Sequence, residues 1–265
     1  MSERRIIMKP KVYIDGKEGT TGLQIYDRLA SRDDIELLLI DKTKRKDPDE
    51  RKKLINAADI TFLCLPDAAA KEAVSFVEKD SARIIDASTA HRTAPGWAYG
   101  IPELSDMHKD AVVHAKFTAN PGCHASGFVI PVYPLVASGM IPKETPLTVF
   151  SLTGYSGGGK KMIAEYESAE RSGLLSFPRQ YALTQKHKHL PEMMKVCLLE
   201  NAPAFIPVVA DFYSGMEVTV PLFANSLAKG CTAEDIRRVY KSCYKGEIVS
   251  YDGTLGESGF LSAKE

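Results

Sequence analysis

KVYIDGKEGTTGLQIYDRLAS, residues 11–31, is the stretch that decides the fold. Residues 11–15 are a short run of strand formers. Glycines follow at Gly16, Gly19 and Gly22, and then Leu23, Tyr26 and Leu29–Ala30 recur at helical spacing. Strand, glycine turn, helix is the opening of a nucleotide-binding βαβ unit. The glycines let the backbone turn tightly and approach a pyrophosphate. The helix start offers unpaired amide groups and its positive dipole end to the phosphates. A purely structural glycine turn is the plainer alternative, and the setting at the head of a βαβ array favours the nucleotide.

The alternation continues outward from there. IELLLID (35–41) is apolar almost throughout and is expected as a buried parallel strand. KTKRKDPDERKK (42–53) is expected as a charged connection. ADITFLCLP (58–66), AAAKEAVSFVEKD (68–80) and ARIIDAS (82–88) read strand, helix, strand. Such an order implies a Rossmann-like parallel sheet covered by helices on both faces. Asp41 stands where an acidic residue would hold a ribose 2′-hydroxyl, which favours NAD. Lys42, Lys44 and Arg45 follow at once and suit a 2′-phosphate, or simply form a solvated basic loop. The residues leave NAD and NADP open and lean to NADP.

The pattern changes after residue 90. Prolines and glycines break up 91–122, with one more strand expected at AVVHAKFT (111–118). A helix is expected over HASGFVIPVYPLVASG (124–139), and strands over PLTVFSLTG (146–154), AFIPVVADF (204–212) and MEVTVPLF (216–223). The last two alternate apolar and polar residues, which predicts a mostly antiparallel sheet with one wetter face. TAEDIRRVYKSCY (232–244) reads as a helix with Thr232 and Asp235 in a capping box. The expected fold class is α/β: a dinucleotide-binding domain over 1–122, then an α+β catalytic and oligomerisation domain over 123–265.

Lys and Arg total 34, as do Asp and Glu, so no global field favours nucleic acid or an anionic membrane. The longest apolar runs are far short of the roughly 20 residues a bilayer needs. The start, MSERRIIMKP, is too short for the apolar part of a signal peptide. The five cysteines are odd in number and widely spaced, with no CxxC. That argues against a zinc site or a disulfide framework and for a cytoplasmic protein with reduced thiols.

One cysteine has an unusual context. In NPGCHASG (120–127), Pro-Gly forces a sharp turn and puts Cys123 in the first turn of the expected helix. A helix N-terminus stabilises a thiolate, which makes a nucleophile. In HKHLPE (187–192), two histidines stand beside a proline and a carboxylate. Histidine moves protons near neutral pH, and a carboxylate can orient it; a solvated histidine pair is the alternative. GYSGGGK (154–160) reads equally as a phosphate cradle or a flexible loop. In DASTAHR (86–92), Arg92 is either a clamp for a carboxylate or phosphate or the partner of a neighbouring acid.

A dinucleotide turn followed by an activated cysteine points to one reaction class: a thiolate holds an acyl group as a thioester while a nicotinamide exchanges hydride with its carbonyl carbon. Together with YGIPEL (99–104), the stretches quoted above resemble the N-acetyl-γ-glutamyl-phosphate reductase family of arginine biosynthesis, in its shorter branch. The resemblance covers nearly the whole chain. It implies that Cys123 attacks the acyl phosphate and expels phosphate, that NADPH reduces the thioester, and that His187, with His189 and Glu192 orienting it, moves the protons. It implies cofactor contacts at Gly16, Gly19, Thr20, Thr21, Gly22, Lys42, Arg45, Ser88, Ser156, Gly157 and Gly158. Substrate contacts are implied at Arg92, Asn120, Lys160 and Glu192, with no metal. It also implies a homo-oligomer acting on a small acyl phosphate. Family members continue past LSAKE (261–265), so the chain is expected to be a shortened form. Positions 91 and 124 are both histidine where the longer branch usually carries aromatic residues. The alternatives are an aspartate-semialdehyde dehydrogenase, a cysteine hydrolase and a catalytically silent dinucleotide-binding protein. The first takes its histidine from a late Gly-His pair, and here Gly215 is followed by Met216.

Overall fold

The structure, a computed structural model, describes residues 9–17, 19–254, 259 and 261–263. The chain divides into two compact units, one of residues 1–100 and 111–120, the other of residues 101–110 and 121–265. No helix among the described residues is long and apolar enough to cross a membrane.

The first unit is built on β1 (Lys11–Asp15), α1 (Thr20–Ala30), β2 (Glu36–Leu38), α2 (Pro48–Ala57), β3 (Ile60–Leu63), α3 (Asp67–Ser75), β4 (Arg83–Asp86), β5 (Ala98–Tyr99), the end of α4 (Asp106–His114) and β6 (Phe117–Ala119). Its sheet runs in the order β2-β1-β3-β4-β6-β5, with every pairing parallel. All its strands therefore end on one edge, where open α/β sheets bind ligands. Tyr13, Leu63 and Ile84 from the sheet and Ile55, Ala70 and Ala73 from the helices close the core.

Three expectations change here. Residues 35–41 are not a buried strand. β2 is a short edge strand, half exposed, because it has a neighbour on one side only. The charged connection contains α2, whose start was signalled by Asp47 ahead of Pro48. The Asp47 carboxylate accepts the Asp49 and Glu50 amide hydrogens, and proline takes the first position, where no amide is needed. Finally, residues 111–114 continue a helix, so the strand in AVVHAKFT is only Phe117–Ala119.

An ion pair ties β1 to this helical layer. Arg51 of α2 is buried, with its guanidinium 3.0 Å from Asp15 and 2.7 Å from Glu72 of α3. Burial pushes the Asp15 carboxyl above its ordinary range, and the hydrogen bond and charge of Arg51 pull it back. Removing one partner from such a pair costs on the order of 3–5 kcal/mol.

The second unit has α5 (Cys123–Ala137), β7 (Thr148–Gly154), α6 (Gly159–Glu167), β8 (Arg179–Gln180), α7 (Leu190–Cys197), β9 (Ala204–Ala210), β10 (Met216–Thr219) and α8 (Ala233–Cys243). Its sheet order is β10-β7-β9-β8. The two outer pairings are antiparallel, as expected, but the long central pairing of β7 with β9 is parallel over seven residues. That explains why β9 is buried on both faces over Pro207–Ala210 and not wet on one.

α5 is buried at nine of its fifteen residues and contains Pro131 and Pro134. Pro134 has no N–H to give the Ile130 carbonyl four residues back. The Tyr244 hydroxyl, just after α8, donates to that carbonyl instead, and Tyr240 of α8 donates to the Pro131 carbonyl at 2.8 Å. The capping box of α8 forms as expected, with the Thr232 hydroxyl accepting from Asp235 N–H and the Asp235 carboxylate accepting from Thr232 N–H.

Candidate active site

Cys123 is the first residue of α5, and its side chain is exposed. The turn that presents it is held from both ends of Gly122. The Gly122 N–H donates to Glu192 Oε1 at 2.8 Å, and the Gly122 carbonyl accepts from the Ser126 amide at 2.8 Å and its hydroxyl at 3.1 Å. Glu192 lies in the first turn of α7 and is 1% exposed. Its carboxylate thus reaches 70 residues back to position the turn before the sulfur. Two other thiols are poorly placed to react: burial pushes Cys64 up to about 12, and burial also raises Cys197.

His187 and His189 stand immediately before α7, with His189 as its N-cap residue. Their rings meet edge to face at 4.7 Å between centroids. The His189 amide donates to His187 Nδ1 at 3.3 Å. In the neutral ring the proton therefore sits on Nε2, which makes that nitrogen a donor. Burial, and then the charge of Lys188, hold His187 below the ordinary histidine range. It is therefore neutral at pH 7.

A third histidine completes the cluster. His124, the residue after Cys123, is 4% exposed. Its Nδ1 is 2.6 Å from the Ser151 hydroxyl of β7, and its Nε2 is 2.6 Å from the Tyr181 hydroxyl. Its ring lies 5.9 Å from His187, 5.5 Å from His189 and 5.3 Å from Phe205 between centroids. Burial, and then repulsion from His187, push its pKa down to about 4. Burial raises Tyr181, and the charge of Cys123 adds to that. Sequence reasoning noticed His124 only as a departure from an aromatic residue and did not single out Ser151 or Tyr181. The signal available was the ionisable residue at position 124 inside a largely apolar helix.

His124 gives a pH-dependent stability. An unfolded histidine titrates near 6.5 and the folded one near 4. The unfolded chain therefore binds the extra proton between those values, and stability falls as pH drops through that window. The loss should approach about 3 kcal/mol at the low end. Urea melts at steps from pH 7 to 4.5 should show this slope, reduced in His124→Gln. Equal slopes in both proteins would contradict it.

In the first unit, the carboxyl edge of the sheet gathers the glycine turn, Lys42, Arg45 and Ser88. Gly16 has φ +88°, and a Cβ there would lie 2.3 Å from the Cys64 carbonyl oxygen. A Cβ on Gly22 would lie 2.4 Å from the Gly16 carbonyl oxygen. The turn thus requires glycine at both positions. Gly19 caps α1 without a side-chain bond, so the first-turn amides keep no side-chain acceptor there. Such a start fits a pyrophosphate. Thr21 is exposed, and the Thr20 side chain lies outside the described residues. Lys42 and Arg45 are exposed and make no ion pair or hydrogen bond among the described residues, while Lys44 pairs with Glu50 at 3.2 Å.

Ser88 is buried, and its hydroxyl donates to Asp86 at 2.7 Å. The fully buried Asp86 also meets His91 Nδ1 at 2.6 Å, and the His91 ring stacks on Trp97 at 4.1 Å. Arg92 donates from Nε to the Asn120 carbonyl at 3.0 Å and from a terminal nitrogen to the Ala87 carbonyl at 3.3 Å. These bonds orient its guanidinium, and Asn120 itself is exposed. Ser156, Gly157 and Gly158 form a short 3-10 turn after β7, with the Ser156 amide bound to the Tyr213 carbonyl at 2.9 Å. Lys160 follows, exposed, in the first turn of α6. Among the described residues, no group of three or more histidine, cysteine or acidic side chains is arranged to hold a metal ion.

Comparison with known proteins bears directly on this site. Residues 40–111 match the family model of the semialdehyde dehydrogenase NAD binding domain, and residues 123–251 match that of the semialdehyde dehydrogenase dimerisation domain. The N-acetyl-gamma-glutamyl-phosphate reductase of Trichormus variabilis is 47% identical over 243 residues, which is 90% of this chain and 76% of that protein. The protein of the same name from Rhizobium meliloti is 46% identical over 257 residues, 96% of this chain and 83% of that one. The chain belongs to the N-acetyl-γ-glutamyl-phosphate reductase family. Its fold is also that of aspartate semialdehyde dehydrogenase II from Vibrio cholerae, with a TM-score of 0.65 at 15% identity over 89% of this chain and 80% of that one. Aspartate semialdehyde dehydrogenase from Candida albicans, solved with NADP, gives 0.59 at 16% identity, covering 97% and 80%. Within the reductase family, the dimerisation-domain match begins at Cys123 itself, and the NAD-binding match begins after the glycine turn.

Proposed function

We propose that this chain reduces N-acetyl-γ-glutamyl phosphate to N-acetylglutamate 5-semialdehyde and phosphate with NADPH, through a thioester on Cys123. The observation that carries the reading is the exposed Cys123, on a turn clamped by Glu192, in a chain 47% identical to a reductase of that name.

The chemistry follows from the side chains. Cys123 attacks the acyl-phosphate carbonyl carbon, and the C–O bond to phosphate breaks, leaving the acyl group on sulfur. The dipole of α5, whose first turn carries the sulfur, favours the thiolate before attack. NADPH, when bound at the glycine turn, supplies the hydride that reduces the thioester carbonyl. His187 shares its Nε2 proton by hydrogen bond with the thiohemiacetal oxygen as charge develops there, and keeps it as that oxygen re-forms the carbonyl, the C–S electron pair returns to the Cys123 sulfur and the aldehyde leaves. Arg92, oriented by its carbonyl contacts, is assigned to the substrate's anionic end, with Asn120 and Lys160 as further substrate contacts. Glu192 serves through the Gly122 turn.

Lys42 and Arg45 support NADP over NAD at the end of β2, through attraction to a 2′-phosphate. None of the five cysteines is joined in a disulfide, which fits a reducing, cytoplasmic compartment. The assay that tests this reading is phosphate-dependent reduction of NADP by N-acetylglutamate semialdehyde, run beside aspartate semialdehyde. Turnover of the acetylated substrate alone is expected. Turnover of the aspartyl compound alone would overturn the assignment.

We also assign the oligomer contact. On β7, Val149, Ser151 and Thr153 are buried, whereas Phe150 and Leu152 face the other way and stay half exposed. Ile206 of β9 pairs with Phe150 and shares that face. This apolar face fits a self-complementary contact between two copies. Leu152→Asp would bury an unpaired carboxylate at such a contact, at a cost of several kcal/mol. Light scattering should show it as a smaller species than the parent protein. An unchanged mass would place the interface elsewhere.

A further inference from the structure

The residue after the nucleophile is bound more completely than packing alone requires. His124 meets Ser151 at one ring nitrogen and Tyr181 at the other, both at 2.6 Å. Those partners come from places far apart in the chain, β7 and the segment leading to the histidine pair. The ring then touches both members of that pair and Phe205 of β9. In either neutral tautomer one ring nitrogen donates to its hydroxyl partner and the other accepts from its own, so both nitrogens are satisfied. Bonds at both ring nitrogens oppose its rotation, and the two histidines pack against it.

We propose that His124 is a positioning residue for the reaction: clamped between Ser151 and Tyr181, its ring fixes the orientation of His187 and His189 around the cysteine-bearing turn. The assignment rests on the reading of Cys123 as nucleophile, and it goes beyond the cysteine and the histidine pair. His124 itself exchanges no proton in the cycle, because burial keeps it neutral far below pH 7. The ionisable groups against it are Tyr181, His187 and His189, and Cys123 of its own helix acts on Tyr181.

The test compares His124→Phe, which keeps a ring and loses both nitrogens, with His124→Gln, which can still donate and accept. Three quantities are read: kcat and KM, the pH dependence of Cys123 alkylation by iodoacetamide without substrate, and the thermal midpoint. His124→Phe should lower kcat roughly 10- to 100-fold with KM within about twofold, and should move the alkylation profile. His124→Gln should recover most of both. A kcat within about twofold of the parent in His124→Phe would overturn the proposal. So would a loss that merely follows the unfolded fraction, with the alkylation profile unmoved. If His124→Phe does not fold, Tyr181→Phe and Ser151→Ala each remove one bond, and parent-like kcat and alkylation in both would overturn it equally. Failure of the parent protein to turn over its substrate would instead refute the proposed function, and the alkylation comparison would still stand.

Discussion

Cys123→Ser abolishes semialdehyde formation, by at least about a thousandfold in kcat, while NADP still binds with parent-like affinity. The size follows from the mechanism. Serine at neutral pH supplies no thiolate, and removal of a covalent nucleophile removes the acylation step itself. The separation from binding follows from the fold. Cys123 lies in the second unit, and the glycine turn is formed within the first by Gly16, Gly22 and the Cys64 carbonyl. The two properties are read separately, by steady-state turnover and by fluorescence titration of the cofactor. A serine variant that keeps near-normal turnover removes the thioester from the mechanism. A variant that loses both properties points to damage of the fold and not of the chemistry.

The second large effect belongs to the proton carrier. His187→Asn should lower kcat about 100- to 10,000-fold, the range for loss of a positioned general acid–base. His189→Asn should cost less, because the ring of His189 is buried and its backbone amide, which survives the change, makes the bond to His187. The pH profile gives the sign. His187 is held below the ordinary histidine range by burial and by Lys188, so the acidic limb of kcat should lie below pH 6.5. Lys188→Gln removes a charge that disfavours the imidazolium, so that limb should move to higher pH. Full activity in both asparagine variants, or a limb that ignores Lys188, would transfer the proton role to another group.

Much of the first unit was legible because its signals are local. The turn at 16–22 declares itself by three glycines between a strand and a helix, and the structure shows the contacts that forbid a Cβ at Gly16 and Gly22. The start of α8 was equally readable, since a capping box needs only Thr232 and Asp235. Where a neighbour decides, local reading failed. An apolar run at 35–41 looks central, yet its strand has the sheet on one side only, and the sequence of one strand does not state how many neighbours it has. Residues 111–118 carry the strand formers Val112, Val113, Phe117 and Thr118, but the first half is claimed by a helix that starts at Asp106. The parallel pairing of β7 with β9 joins strands about fifty residues apart, which alternation of side chains cannot disclose.

The site divides in the same way. Cys123 and the histidine pair announce themselves by residue type beside proline, and the structure adds the reason for their register, a Glu192 carboxylate on the Gly122 amide. His124, Ser151 and Tyr181 are separated by 27 and 57 positions and meet only in the folded chain. No spacing rule links a helix, a strand and a loop at those intervals. Glu192 shows a subtler point. It was expected among the substrate contacts, but a carboxylate 1% exposed and bound to a backbone amide acts on the turn that carries the sulfur.

The central claim is that the acyl group passes through Cys123, and withholding phosphate isolates that step. Enzyme mixed rapidly with N-acetylglutamate semialdehyde and NADP, without phosphate, should release one burst of NADPH equal to the subunit concentration. Intact-mass analysis of the quenched protein should then find the N-acetylglutamyl group on Cys123, and added phosphate should discharge it. Steady NADPH release without phosphate, or a burst with no acyl group on Cys123, would contradict the thioester route.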